Sequence, residues 1–258
     1  MRNQETFEYE DEDFKSYQYE NIGVIKIKKN VFEIITDLSE RNELLTVFNI
    51  AAFDQNIDAL LFLNSPGCFS EEEYDNYMQE LLDHGVNEDQ YKESKNIGTA
   101  NLRAIKINVL NTFVTKIMGF DKVVVVGFCG SIVTPFFGAS LAADLRYGSE
   151  NMYFSLTHLK HGMHPSGALP FFLPKYIGQA KATEFLLKCS TINAEEAFRL
   201  NLITEILPEN NFENLCIQKV CDLTKSNSAI INRTRRLLHN YGAELEKYLE
   251  KEDRIIYI

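Results

Sequence analysis

Short apolar runs alternate with amphipathic stretches along the chain. Ile22-Gly23-Val24-Ile25-Lys26-Ile27-Lys28 alternates apolar and polar with period two and predicts a strand. Ala59 to Leu63 and Lys122 to Phe128 are continuous apolar runs that read as buried strands, the first stopped by Asn64-Ser65-Pro66-Gly67. Val31 to Ile35 predicts a second strand or a turn. Thr36 or Asp37 can cap a helix running to about Phe53, with Leu38, Leu45, Phe48 and Ala52 inward. Glu71-Glu72-Glu73 opens an acidic helix, where carboxylates meet the positive end of the helix dipole. Asp83 to Lys95 reads as a polar loop, and Ile97 to Gly119 as a long helix with Leu102, Ile105, Val109, Phe113 and Ile117 near one face. From Asp121 to Gly178 the pattern is strand, turn, small-residue helix to Asp144, short strand ending at Phe154, Gly/Pro-rich loop, helix. Further helices follow over Gln179 to Lys188, after a cap at Asn193, over Phe212 to Ser226 and from Ser228 onward. A last strand, from Leu202, is ended by Pro208. Strands alternating with helices predict an α/β architecture.

Composition narrows this picture. The chain has 258 residues, 45% of them hydrophobic, enough for one sizeable core. Its net charge of −11 argues against nucleic acid or an anionic membrane as partner, both of which need a basic face. A local basic pocket for a phosphorylated ligand stays open. No apolar run approaches the roughly 20 residues that span a bilayer. Residues 1–20 are acidic and polar, unlike a secretory or transit peptide, and read as a weakly ordered arm whose aromatics (Phe7, Tyr9, Phe14, Tyr17, Tyr19) can pack on the body or on a neighbouring subunit. Five scattered cysteines with no Cys-x-x-Cys pair predict reduced thiols and a cytoplasmic location. The expected organisation is an acidic arm (1–20), an α/β core (21–208) and a C-terminal helical region (209–258).

Lys122 to Gly178 can be laid without a gap on the pattern K-P-V-I-A-A-V-x-G-x-A-x-G-G-G-x-E-L-A-L-x-C-D-x-R-x-A-S-E-x-A-x-F-x-x-P-E-x-x-x-G-x-x-P. Lys122, Val124, Gly130, Leu141, Asp144, Arg146, Ser149, Glu150, Phe154, Gly162 and Pro165 match, and Leu173-Pro174 and Gly178 continue it. The chain therefore resembles the crotonase family, the enoyl-CoA hydratase/isomerase superfamily, over about residues 20–240. The resemblance implies an α/β crotonase-like spiral of ββα turns with a C-terminal helical oligomerisation region, assembled as a homo-trimer or hexamer. It also implies an acyl-CoA or acyl-carrier thioester as substrate or ligand, no separate cofactor, and lyase or isomerase chemistry. In that chemistry two backbone N–H groups stabilise an enolate-like oxyanion, and two Glu handle water and proton.

The positions that would carry this chemistry depart from the family. The first catalytic Glu falls on Gly138 and the second on His158. The middle glycine of G-G-G, which supplies one oxyanion N–H, falls on Pro135, which has none. That donor is lost unless Phe136 N–H substitutes through a shifted turn. Thr134, Pro135 and Phe136 replace small glycines, and Phe136 and Phe137 are expected to add bulk near the acyl group. The other oxyanion loop is Pro66-Gly67-Cys68-Phe69, leading into acidic residues expected to repel CoA phosphates. The resemblance thus nominates Gly67, Cys68, Pro135, Phe136 and Gly138 as substrate-binding positions and His158 as the candidate catalytic residue.

Blander readings stand beside these. His158 can be a hydrogen-bonded structural histidine. With His161 and His164 it invites a metal reading, but Gly162 and Pro165 make the segment a loop with no adjacent Cys or carboxylate, and no metal is expected. Ser140 and Thr134 can hold a ligand or bond the preceding turn, and Cys68 or Cys129 needs a nearby base to act as a nucleophile. Lys225, Arg233, Arg235 and Arg236 can meet the nucleotide end of CoA, form a solvated face or serve a subunit contact. Two functional readings follow. One is a crotonase-fold protein without standard hydratase activity, retaining thioester binding or a structural role. The other is an active hydratase, isomerase, decarboxylase or thioesterase using His158.

Overall fold

The computed structural model describes residues 6–29, 31–34, 43–84, 110–225, 227–238 and 241–255. Seven strands form the main sheet in the order β1 (Tyr9–Glu10), β2 (Phe14–Tyr19), β3 (Ile22–Ile27), β4 (Ala59–Asn64), β5 (Val123–Phe128), β7 (Leu145–Ser149), β10 (Glu205–Leu207). The β1–β2–β3 part is antiparallel, and β3–β4–β5–β7–β10 is parallel. A second sheet joins β6 (Ser131–Val133), β8 (Tyr153–Ser155) and β9 (Thr191–Asn193). The helices are α1 (Val31–Ile34), α2 (Glu43–Phe53), α3 (Glu71–His84), α4 (110–118), α5 (Thr134–Ser140), α6 (Leu169–Ile177), α7 (Gln179–Lys188), α8 (Ala194–Arg199), α9 (Phe212–Thr224), α10 (Ser228–Leu238) and α11 (Gly242–Ile255). Among the described residues no helix is long and apolar enough to cross a membrane.

Both faces of the parallel sheet are covered, which is why its central strands read as continuous apolar runs. The period-two alternation sorts their side chains. Ile25, Leu60, Val124, Val126 and Phe128 join the larger core beneath α2, α4 and α5. Val24, Leu61, Leu63, Val123 and Val125 face the other way onto Phe212, Cys216 and Val220 of α9.

Two buried arginines tie the helical elements to this sheet. Asp144, just before β7, accepts from Val124 N–H at 2.7 Å and pairs with Arg235 Nε of α10 at 2.7 Å. Arg235 also donates to the carbonyls of Ile117 and Phe120. Arg146 donates to the carbonyls of Ala143 (2.7 Å) and Leu202 (2.6 Å) and lies against the Tyr176 ring. Thus Arg235 of the basic cluster is a structural residue. Arg236 pairs with Asp121 and Lys225 with Asp222, both exposed pairs of little energetic weight.

Several expectations are corrected. Much of the supposed arm is ordered sheet: β2 pairs with β3 along its whole length, Phe7 and Phe14 are buried, and Ser16 Oγ donates to the Phe7 carbonyl at 2.6 Å. The acidic residues around 10–13 concealed the alternation that puts Phe14 and Ser16 inward. Of the strand and the turn that Val31 to Ile35 allows, Val31–Ile34 forms a helical turn, whereas residues 83 and 84, expected in a loop, still belong to α3. Short β6 and β9 were not anticipated, because three-residue strands show no resolvable period. Asn193 caps α8, accepting from Glu196 N–H at 2.9 Å. The readings over 35–42 and 85–109 lie outside the described residues.

Candidate functional site

The carboxyl ends of β4 and β5 lie side by side and form the floor of the site. Asn64 fixes them, its amide donating to the Cys129 carbonyl (2.9 Å) and accepting from Cys129 N–H (3.0 Å). The turns that follow hold Gly67 (φ 89°) and Gly130 (φ 72°), conformations other residues rarely adopt. A Cβ on Gly130 would sit 3.7 Å from Gly67 N, so the two turns are neighbours. Val133 N–H donates to the Phe69 carbonyl at 3.0 Å, binding the 66–69 turn directly to β6. Gly67 and Cys68 thus border the start of α5, where Pro135 and Phe136 lie. Gly138 is one turn further in.

Pro135 occupies the first turn of α5. Phe136 stacks on Phe69 with centroids 4.3 Å apart and touches Phe32 at 5.0 Å. It lines an apolar cavity of about 90 Å³ with Phe69, Phe113, Phe128 and Ala139. That is room for about three water-sized groups. Phe137 turns away from the cavity into the core, stacked on Phe154 at 3.9 Å, so only one of the two phenylalanines adds bulk there.

Gly138 is closed in by main chain. The loop before α6 packs on α5 backbone to backbone, and a Cβ on Gly138 would lie 2.6 Å from the Gly167 carbonyl and 2.7 Å from that of Ser166. A Cβ on Gly167 would in turn collide with the Pro135 carbonyl. Main chain fills the place where a side chain would begin.

His158 is 3% exposed and turns into the end of α7. Its Nε2–H donates to the Leu186 carbonyl at 2.9 Å. Burial, above all, holds its pKa below the usual histidine value, with nearby His164 adding to the effect. Protonation therefore favours the unfolded chain. Stability is full above about pH 6.5 and falls as pH drops from there toward the depressed native value. We expect melting temperatures recorded from pH 7.5 to 5 to show this loss, and His158→Gln to reduce the slope.

His161 and His164 point elsewhere. His161 Nε2 lies 3.1 Å from Asp75, at a distance suited to an ion pair but without hydrogen-bond alignment, while His164 contacts the Pro165 carbonyl. Among the described residues no three His, Cys, Asp or Glu groups gather as a metal site. Lys160 pairs with Glu71 and Asp75, both at 2.7 Å, and Ser155 Oγ donates to Glu71. The acidic start of α3 is therefore partly neutralised and latched to the 155–161 loop, which moderates the expected repulsion of phosphates. This latch was not legible in the sequence, since its partners are remote and charge alone does not pair them. Cys68 and Cys129 are buried, their thiols pushed up to about 12 and about 11 chiefly by desolvation. Thr134 Oγ1 accepts from Thr157 N–H, and Ser140 Oγ donates to the Phe137 carbonyl, so both hydroxyls serve local structure.

A strand-end site roofed by a short helix and a latched loop defines an α/β protein with a crotonase-type cleft. The enoyl-CoA hydratase/isomerase family model matches residues 18–257, and the chain belongs to that family. A crystal structure of an enoyl-CoA hydratase from Mycobacterium avium subsp. paratuberculosis K-10 superposes with a TM-score of 0.75 at 18% identity, covering 95% of this chain and 92% of that one. An enoyl-CoA hydratase from Bacillus halodurans gives 0.74 at 21% identity, covering 93% and 92%. At such identities these structures share the fold. Human testis-specific chromodomain protein Y 1 is 25% identical over 178 residues, which is 68% of this chain and 32% of that protein. The match thus spans about a third of that relative's length.

Proposed function

We propose that this protein is a crotonase-fold acyl-thioester binder that does not carry out standard enoyl-CoA hydration. The observation that carries this reading is the contact of Gly138 with the Ser166 and Gly167 carbonyls, which leaves no room for an acid at the first catalytic position. Pro135 removes an oxyanion donor beside it. Thioester binding is supported by the strand-end geometry, by Gly67 and Gly130, and by a cavity of about 90 Å³ suited to a short apolar acyl chain. Assembly as a trimer or a pair of trimers belongs to the same reading. The competing reading, proton transfer to a thioester by His158, is disfavoured because one ring nitrogen is already held by the Leu186 carbonyl.

Titration with CoA and with acetyl-CoA tests the binding reading. A ligand that binds only the native state raises the melting temperature, by an amount equivalent to about 2.7 kcal/mol at 100 times Kd. We expect a saturable rise with either ligand. No shift at millimolar ligand contradicts thioester binding.

A further inference from the structure

A cavity of about 440 Å³ opens at the amino end of the parallel sheet. Asp121 and Lys122, which line it, directly precede β5, whereas the cleft follows the carboxyl end of that strand. Six strand residues put the two sites roughly 20 Å apart. One face of α10 walls the cavity, with Ala229, Asn232, Arg233 and Arg236 at the spacing of a single helix face. The end of α2 forms the other wall. Ala52 on one wall and Ala229 on the other carry too little side chain to close the gap.

The charges here do not cancel. Of the two lining carboxylates, Asp54 accepts from the Asn56 N–H (2.8 Å) and side-chain amide (3.0 Å) within its own turn, and Asp121 pairs with Arg236. Arg233 makes no ion pair among the described residues. Lys122 Nζ donates to the Ala51 and Asp54 carbonyls at 2.7 and 2.6 Å, covering the carbonyl end of α2 that would otherwise repel an anion. Burial holds the Lys122 pKa below the usual lysine value, and the carboxylates of Asp54, Asp58 and Asp121 offset this only in part. In a chain of net charge −11, this cavity therefore favours an anion. Two further features describe the rest of the ligand. The Phe53 ring is 86% exposed at the rim and offers a face for stacking. Asn232 Oδ1 is buried without a donor, so no bond holds that end of the amide, and a turn about its last torsion presents it to a ligand.

We propose that this cavity binds a nucleoside monophosphate. Arg233 and Arg236, one helical turn apart, receive the phosphate, and Arg236 exchanges its exposed pair with Asp121 for it. The base lies on Phe53, and the Asn232 amide bonds the base or the ribose. The site is separate from the thioester cleft and does not depend on that reading.

The test is calorimetric titration of the full chain with adenosine monophosphate, adenosine, ribose phosphate and inorganic phosphate. Adenosine monophosphate should bind saturably below millimolar concentration. Adenosine and inorganic phosphate should each bind at least about tenfold more weakly, as should the nucleotide in Arg233→Ala, the effect of losing a hydrogen bond to a charged group. Arg233 is exposed, so this variant is expected to fold. Phe53→Ala should weaken the nucleotide and leave ribose phosphate unchanged. No saturable heat at millimolar nucleotide, equal affinity for inorganic phosphate, or unchanged affinity in Arg233→Ala overturns the proposal. Acetyl-CoA separates this site from the cleft, because its melting shift should survive Arg233→Ala. Loss of that shift together with nucleotide binding shows that Arg233 serves CoA rather than a separate ligand, and also overturns the proposal. Nucleotide binding lost in Arg233→Ala, in a protein that acetyl-CoA never stabilises, supports this site and removes only the thioester reading.

Discussion

Gly138→Ala should lower stability by about 3 kcal/mol, and Gly138→Glu should yield little folded protein. The added Cβ would stand 2.6 and 2.7 Å from two carbonyl oxygens of the chain's own backbone. A flexible side chain could swing away, but the loop at Ser166–Gly167 cannot retreat easily, because Gly167 in turn abuts the Pro135 carbonyl. Overpacking of a well-filled interior typically costs about 1–3 kcal/mol, and backbone obstruction belongs at the upper end. For a chain of this size that is about 6–12 °C in Tm. Gly242→Ala is the control: a Cβ there meets nothing within 4 Å, and its effect should stay within about 0.5 kcal/mol. Equal melting temperatures for Gly138→Ala and wild type would show that the loop yields. Restoring the family's acid is therefore expected to break the protein rather than revive it.

The second large effect concerns Asp144. Asp144→Asn removes the carboxylate from Arg235, whose side chain is only 4% exposed, and weakens the acceptor for Val124 N–H. Breaking a buried pair by removing one partner costs about 3–5 kcal/mol, because the remaining charge stays desolvated. Chemical denaturation should show that loss. Arg235→Met, which replaces the charge with an apolar stem, should cost less than Asp144→Asn. The order matters more than either value: if Arg235→Met is the more damaging change, the carbonyl contacts of Arg235 at Ile117 and Phe120 outweigh the ion pair.

These two positions also separate what the sequence discloses from what it hides. Asp144 and Arg146 are among the residues that carry the family resemblance, and both make buried bonds that hold helices to the sheet. Such bonds need particular side chains, so they leave a mark in the sequence. The central strands were legible for a related reason, since burial on both faces demands unbroken apolar runs. The replacements at Pro135, Gly138 and His158 were equally plain, but their consequences were not. That Gly138 is sealed by Gly167, that Phe136 and Phe137 face opposite ways, and that His158 meets Cys189 all depend on contacts between segments distant along the chain. The hairpin of β1 and β2 was missed because solvent-facing acidic residues around it outweigh its two inward positions.

On the proposed reading, this crotonase-family fold holds a site without hydration chemistry. The most direct measurement is the turnover of a short-chain enoyl-CoA such as crotonyl-CoA, followed by loss of the enoyl-thioester absorbance at micromolar protein concentration. No catalytic turnover above the buffer rate is expected, even where acetyl-CoA raises the melting temperature. Sustained turnover on the order of 1 s⁻¹ or faster, within the ordinary range of enzymes, would contradict that reading.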